Sequence, residues 1–222
     1  MKIETFSYRY SQEILEHECC KEALHEIIEI CSNCPLPVYK NKSQSQPKLD
    51  VVQQIINTYF SLAFEEHKWD SEPLVTPDEF EDSLRGDFRK SFTKQGSNDN
   101  NDSFTLQIEV EMGNIASSYR NYFKFQLSYA HKMADIAILI LPCDKLSKRI
   151  DSGVASFEKT KREIPSADLS ITVPTLVIGL SDKGVKEVDI TELATDMGVV
   201  KGAQRKYKDR HIELVKQIMQ KR

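Results

Sequence analysis

The sequence predicts a central mixed β-sheet flanked by helices, an α/β or α+β architecture, from three observations. Residues 105–114 alternate, with Leu106, Ile108, Val110 and Met112 at every second position, the period of a half-buried strand. Residues 135–141 and 175–180 are almost continuously apolar runs of strand length, as expected for strands buried on both faces. Between and around them lie segments with apolar residues at helical spacing, which must pack on a sheet or on each other.

The elements follow in order. Residues 3–10 read as a strand with Phe6, Tyr8 and Tyr10 on one face. Ser11 then caps a helix predicted to run to about Cys31, ended by Cys34-Pro35-Leu36-Pro37. A polar loop over 40–48, read as linker with lysines that could follow a phosphate backbone, leads to a second helix over 49–66. Residues 69–75 are a short connection or strand. Thr76-Pro77-Asp78-Glu79 contains a literal Pro-Asp, yet it fits a helix start better, with Thr76 as N-cap, Pro77 at N1 and Glu79 completing a capping box. A third helix with Phe80, Leu84, Phe88 and Phe92 on one face would follow. Residues 96–103 can only be turn or loop. After the alternating strand come a helix over 116–132 rich in Tyr and Phe, the first apolar strand, a short helix over 142–150, a loop at Ser152-Gly153, the second apolar strand, and a basic amphipathic helix over 202–222.

The chain therefore reads as one domain over 1–222, with N-terminal helices at 11–66, a core at about 76–182 and the C-terminal helix at about 202–222. Forty per cent hydrophobic and 29 % charged residues describe an ordinary globular chain. No run approaches the roughly 20 apolar residues that span a bilayer, and the first residues read as a strand rather than a signal peptide, so no membrane and a cytoplasmic location are expected. Five cysteines suggest reduced thiols. Cys31 and Cys34 form a CxxC, but no second CxxC or HxxxH completes four zinc ligands, and Cys20 and Cys31 fit an apolar helix face. A net charge of −4 argues against wholesale coating of nucleic acid, though not against a locally clustered basic surface. Without GxxxxGK[ST] or GxGxxG, no nucleotide cofactor is expected.

The candidate chemistry lies on the alternating strand. Glu109 and Glu111 project from one face with Cβ atoms roughly 6.5–7 Å apart, where like charges repel. Taken alone, such a pair is a solvated polar face; a divalent cation such as Mg²⁺ would also relieve it, because hard ions take carboxylate oxygens. A third acid would have to come from a strand that turns back, since one on the same strand seven residues away would sit roughly 23 Å off. Asp99 and Asp102 are the candidates. A turn over 100–104 favours Asp99, because Asp102 leaves only Ser103-Phe104 to reverse the chain.

An Asp, a hairpin, Ile-Glu-Val-Glu-Met-Gly-Asn, an aromatic helix, Ala-Asp-Ile-Ala-Ile-Leu-Ile-Leu-Pro, and Leu-Ser-Lys-Arg-Ile-Asp-Ser-Gly-Val-Ala-Ser-Phe-Glu follow one another here. This order resembles type II restriction endonucleases of the BglII/BstYI group, within the PD-(D/E)XK nuclease superfamily, from the first strand through Leu180. The resemblance implies a restriction-endonuclease-like core and a homodimer acting on double-stranded DNA with Mg²⁺, for which Mn²⁺ substitutes. It implies metal and catalytic roles for Asp99, or Asp102 in its place, and for Glu109. Glu111 stands at the third position, the E-x-E variant as in BamHI, as a metal ligand or as the group that orients or deprotonates water. The spacing from Asp99 to Glu109 is one residue longer than the family's. DNA contacts are implied for Asn114, for Ser117, Ser118 and Arg120 at the start of the next helix, for Ser152, Gly153 and Ser156, and for Lys159 and Lys161. Asn suits such a role because its amide pairs two-pronged with adenine. Read without the resemblance, Ser152-Gly153 is turn chemistry and the basic run beyond it a solvated face.

The expected activity is sequence-specific cleavage of a short palindrome, with a GATC core and 5′ overhangs suggested by the resemblance. Its rivals are a repair or structure-specific nuclease of the same superfamily and a non-catalytic DNA-binding protein. The aromatic helix over 116–132 is a candidate dimer interface, with burial in its own core as the alternative.

Overall fold

The computed structural model describes residues 1–40, 42–43, 45–79, 82–93, 103–168, 170–202 and 205–220. Strand β1 (Lys2–Tyr8) leads into α1 (Ser11–Glu16) and α2 (Lys21–Ser32). The single helix expected from Ser11 is broken because His17 adopts an extended backbone, φ −62° and ψ 144°, and its carbonyl accepts from Cys20 and Lys21 N–H instead of continuing the ladder. Then come β2 (Leu36–Val38), α3 (Gln53–Glu66), β3 (Asp70–Ser71), β4 (Phe88–Thr93) and β5 (Ser103–Val110). Helix α4 (Ile115–Ala130), β6 (Ile136–Pro142), α5 (Asp144–Ile150) and α6 (Phe157–Glu163) follow. The chain closes with β7 (Thr175–Ser181), β8 (Glu187–Asp189), α7 (Met197–Lys201) and α8 (Lys208–Gln220).

Among the described residues six strands form the main sheet in the order β1-β7-β6-β5-β4-β3, parallel from β5 to β7 and antiparallel towards both margins. The mixed sheet with flanking helices is as the sequence predicts. Every residue of β6 is buried, and β7 is buried up to its last residue, which accounts for their unbroken apolar runs. Two hydrophobic clusters cover the faces. The larger holds α2, α3 and α8 against one side through Ile27, Phe60, Phe64 and Val215, and the smaller gathers Tyr122, Phe125, Phe157 and Val177 on the other. β2 and β8 pair separately in parallel. Arg149 ties this outer part to the core by pairing with Asp50, Asp182 and Glu187 at 2.7–2.9 Å.

The third helix predicted from Thr76 does not form. Residues 75–78 bend, Thr76 Oγ1 donates to the Asp78 carbonyl, and Leu74 bridges Arg85. Phe88 and Phe92 belong to β4 instead. A spacing of four keeps side chains on one face in a strand as well as in a helix, so the aromatic pattern fitted both. From β4, Phe88 packs on Phe64 at 4.7 Å between ring centroids and Phe92 on Trp69 at 5.8 Å.

Candidate active site

Strand β5 enters the molecule between β4 and β6, so its polar face meets protein on the side where a solvated face was one expectation. Gln107 and Glu109 have no exposed surface and Glu111 only 8 %. What covers them is the inward face of α4. Glu111 Oε2 accepts from Asn121 Nδ2 at 3.2 Å, Glu109 pairs with the Lys124 ammonium, and Ser128 Oγ donates to Gln107 Oε1. The match follows from the two periods. Two residues of strand advance about 6.6 Å, and three or four residues of helix about 4.5–6 Å, so an antiparallel helix keeps pace with the strand. Asn121, Lys124 and Ser128 thus mirror Glu111, Glu109 and Gln107. Sequence reasoning missed them, although their spacing on the helix was a readable signal.

Asp87 is a further residue that sequence reasoning passed over. Strands β4 and β5 pair antiparallel with Phe88 opposite Ile108, so one step further sets Asp87 across from Glu109. Its Oδ2 accepts from Val110 N–H at 2.7 Å. Gly86 lets the chain approach: a Cβ there would stand 2.9 Å from Gln107 Nε2 and 3.1 Å from Glu109 Oε1. The readable signal was Gly-Asp directly before the alternation Phe88-Arg89-Lys90-Ser91-Phe92. Asp99 and Asp102 lie outside the described residues.

Burial raises all three carboxyls. Desolvation, followed by the charge of Asp87 and opposed by Lys124, moves Glu109 from its ordinary 4.5 up to about 8. Asp87 is raised by desolvation, opposed by the Val110 bond and Lys124. Glu111 is raised by desolvation, opposed by Gly113 N–H at 2.9 Å and by Asn121. Above about pH 4.5 the folded chain therefore keeps protons that the unfolded chain has released, so stability falls as the pH rises towards about 8. In EDTA the melting temperature is expected to drop across this window. Mg²⁺ held only by the folded chain should offset the drop, by about 1.4 kcal/mol for each tenfold excess over its Kd. Thermal melts across pH with and without Mg²⁺ check this; a profile that Mg²⁺ leaves unchanged would count against a cation at these acids.

Among the described residues no three acid, His or Cys side chains form a ready-made metal cage. Each carboxylate here has its own partner: Val110 N–H for Asp87, Lys124 for Glu109, Asn121 and Gly113 for Glu111. The donor chemistry nonetheless fits a hard divalent ion, since carboxylate oxygens are what such ions take, and added positive charge would relieve the desolvated acids. Cys31 and Cys34 of the CxxC are both buried, and burial pushes the Cys31 thiol well up.

The remaining predicted residues divide. The backbone bridge between Asn114 and Val154 brings the Asn114 turn beside the Ser152-Gly153 loop, with Ile115 N–H donating to the Gly153 carbonyl at 3.0 Å. Asn114 is exposed and caps α4, its Oδ1 accepting from Ala116 N–H at 2.9 Å. Gly153 has φ +77°, so turn chemistry is part of its role. Ser117, Arg120, Ser152 and Lys161 are exposed, and Lys161 lies over the Phe6 ring. Lys159 pairs with Glu163 at 3.5 Å. Ser118 and Ser156, expected to touch DNA, are only 3 % and 7 % exposed, and Ser156 lines an open cavity with Ser152 and Gly153. A cleft of about 330 Å³ lined by Asn57, Ser61, Glu72 and Asp87 opens beside Val110.

Compared with known proteins, residues 3–180 match the family model described as restriction endonuclease BglII/BglIII. The chain belongs to this family. A curated relative, the type II restriction enzyme BamHI of Bacillus amyloliquefaciens, is 27 % identical over 113 residues, covering 50 % of this chain and 51 % of the relative. The chain thus spans about half the length of that curated relative. The crystal structure of BglII complexed with a DNA 16-mer superposes with a TM-score of 0.62 at 19 % identity, covering 82 % of this chain and 77 % of that one. Free BglII gives 0.51 at 20 % identity, over 81 % and 79 %. These two structures share the fold. No helix among the described residues is long and apolar enough to cross a membrane.

Proposed function

We propose that the chain is a type II restriction endonuclease that cuts double-stranded DNA at a short palindrome with Mg²⁺, using Asp87, Glu109 and Glu111. The observation that carries this reading is the meeting of three desolvated carboxyls at the end of β5, with Lys124 against the central one, inside the family's fold. Asp87 and Glu109 would hold the cation, with Glu111 as a further ligand or as the group that orients and deprotonates water. A bound divalent ion supplies charge neutralisation at the scissile phosphate. Glu111 is aimed for its part by Gly113 N–H and Asn121, which fix both of its oxygens. Lys124 balances Glu109 while no substrate is present and keeps the acids folded together.

A palindrome suits a two-fold dimer, in which the same residues read each half-site. For the dimer contact we favour α4, whose Tyr119 and Phe123 are 49 % and 57 % exposed one helical turn apart, while Tyr122 and Phe125 point into the core. Asn114 and the Ser152-Gly153 loop, side by side, are the base-reading candidates. A GATC core with 5′ overhangs is the favoured specificity.

Digestion of DNA of known sequence with Mg²⁺ or with EDTA, followed by end mapping, tests the reading. Recurring cuts at one palindrome, lost in EDTA, are expected. Cutting without a recurring site would point to a structure-specific nuclease, and no metal-dependent cutting would reject the enzyme.

A further inference from the structure

The segment after residue 180 lies beyond the part of the chain that matches the family model, yet it packs on the same face as the cleft beside Asp87. Between α3, α7 and α8 runs a groove of about 730 Å³. One wall is α3, which presents Gln54, Asn57, Thr58 and Ser61 and, further along, Leu62 and Glu65. The other carries Lys201, Arg205 and Lys208. Asn57 and Ser61, one helical turn apart, also line the cleft that reaches Asp87 and Val110, so the two cavities share a rim.

Three features suit this groove to a polyanion. Lys201, Arg205 and Lys208 are all exposed and make no ion pair among the described residues, whereas Arg149, Lys90 and Lys124 are each committed to carboxylates. Among the described residues that line the groove the single carboxylate is Glu65; Glu72 and Asp87 stand in the cleft beyond the rim, at the end where a cation would sit. The cationic wall is also held in place. His211, 5 % exposed, meets the Val199 carbonyl through Nδ1 at 2.8 Å and Thr58 Oγ1 through Nε2 at 2.8 Å. A carbonyl only accepts, so Nδ1 carries the proton, and one imidazole locks α8 to α3 and to α7.

We infer that Lys201, Arg205 and Lys208 bind the phosphates of the DNA strand flanking the cut, the polar face of α3 letting the backbone lie against it. The inference rests on the nuclease reading and adds a stretch of DNA outside the recognition sequence. Such contacts carry no sequence information; they strengthen binding and make it more sensitive to salt.

The test measures kcat/KM against salt for the wild type and a Lys201→Gln/Arg205→Gln/Lys208→Gln variant. Two duplexes carrying the mapped cut site are compared, one trimmed close to the site and one extended by about a helical turn on each side. On the long duplex the variant's log–log salt slope should be shallower by about 2.7, roughly 0.9 for each phosphate contact removed. On the trimmed duplex the two proteins should match, which also reports an intact fold. Equal slopes on the long duplex, with wild-type cutting intact, would overturn the inference and leave the nuclease reading standing. A wild type that cuts neither duplex removes both. If the triple variant does not fold, the single substitutions decide, each expected to change the slope by about 0.9.

Discussion

Asp87→Asn is expected to cut DNA about 10³-fold more slowly than the wild type, or worse, while melting at an equal or higher temperature. The loss follows from removing one negative arm of a cation site whose charge stabilisation is worth several kcal/mol, at about 1.4 kcal/mol per tenfold in rate. The fold is spared because the amide oxygen of Asn can still accept from Val110 N–H, the bond that Asp87 makes. A slightly higher melting temperature follows from the raised carboxyl: a desolvated group that resists charging is replaced by a neutral one of the same shape. Asp99→Asn and Asp102→Asn, by contrast, should retain cutting within about tenfold. Single-turnover cleavage of a mapped site measures all three. If Asp87→Asn cut normally and Asp99→Asn did not, the assignment of the third acid would pass to Asp99.

Phe64→Ala is expected to cost about 3–5 kcal/mol of stability, the range for truncating a fully buried aromatic. Phe64 has no exposed surface, and its ring stands 5.9 Å from Phe60, 5.2 Å from Trp69 and 4.7 Å from Phe88. Removing it hollows the space beneath Phe88, the residue directly after Asp87. The variant should therefore lose activity at temperatures where it is still folded, because Phe88 can settle into the cavity and carry Asp87 with it. Chemical denaturation gives the first number, and cleavage well below the melting temperature the second. Phe64→Leu, which refills most of the volume, should restore both in large part.

The sheet was legible because its central strands are governed by burial alone. Ile136 to Leu141 can sit nowhere but between two covered faces, and the alternation from Leu106 to Met112 fixes which side of β5 carries the acids. The third helix was misread because Phe80, Leu84, Phe88 and Phe92 repeat at a spacing that both periods accept, and the deciding contacts, Phe88 with Phe64 and Leu74 with Arg85, are distant in sequence. That misreading hid Asp87 inside a supposed helix. The sequence reading asked for a third acid from a strand turning back, but the register that sets Asp87 across from Glu109 belongs to the pairing of Phe88 with Ile108. Lys124 and Asn121 stayed hidden for a similar reason: a polar residue on a helix looks solvent-facing until the strand beneath it is known to be polar too.

The margins of the main sheet offer little to a second copy of this chain. At one border β3 is only two residues long, and at the other β1 places exposed Lys2 and Glu4 along its outer side before Arg9 and Tyr10, with positive φ, turn the backbone away. Short or charged border strands give an incoming strand little to pair with, which guards against edge-to-edge aggregation. In the dimer proposed above, contact would then run through side chains on helices rather than through backbone ladders. If that dimer closes around DNA as proposed, such a contact can part without unzipping a sheet.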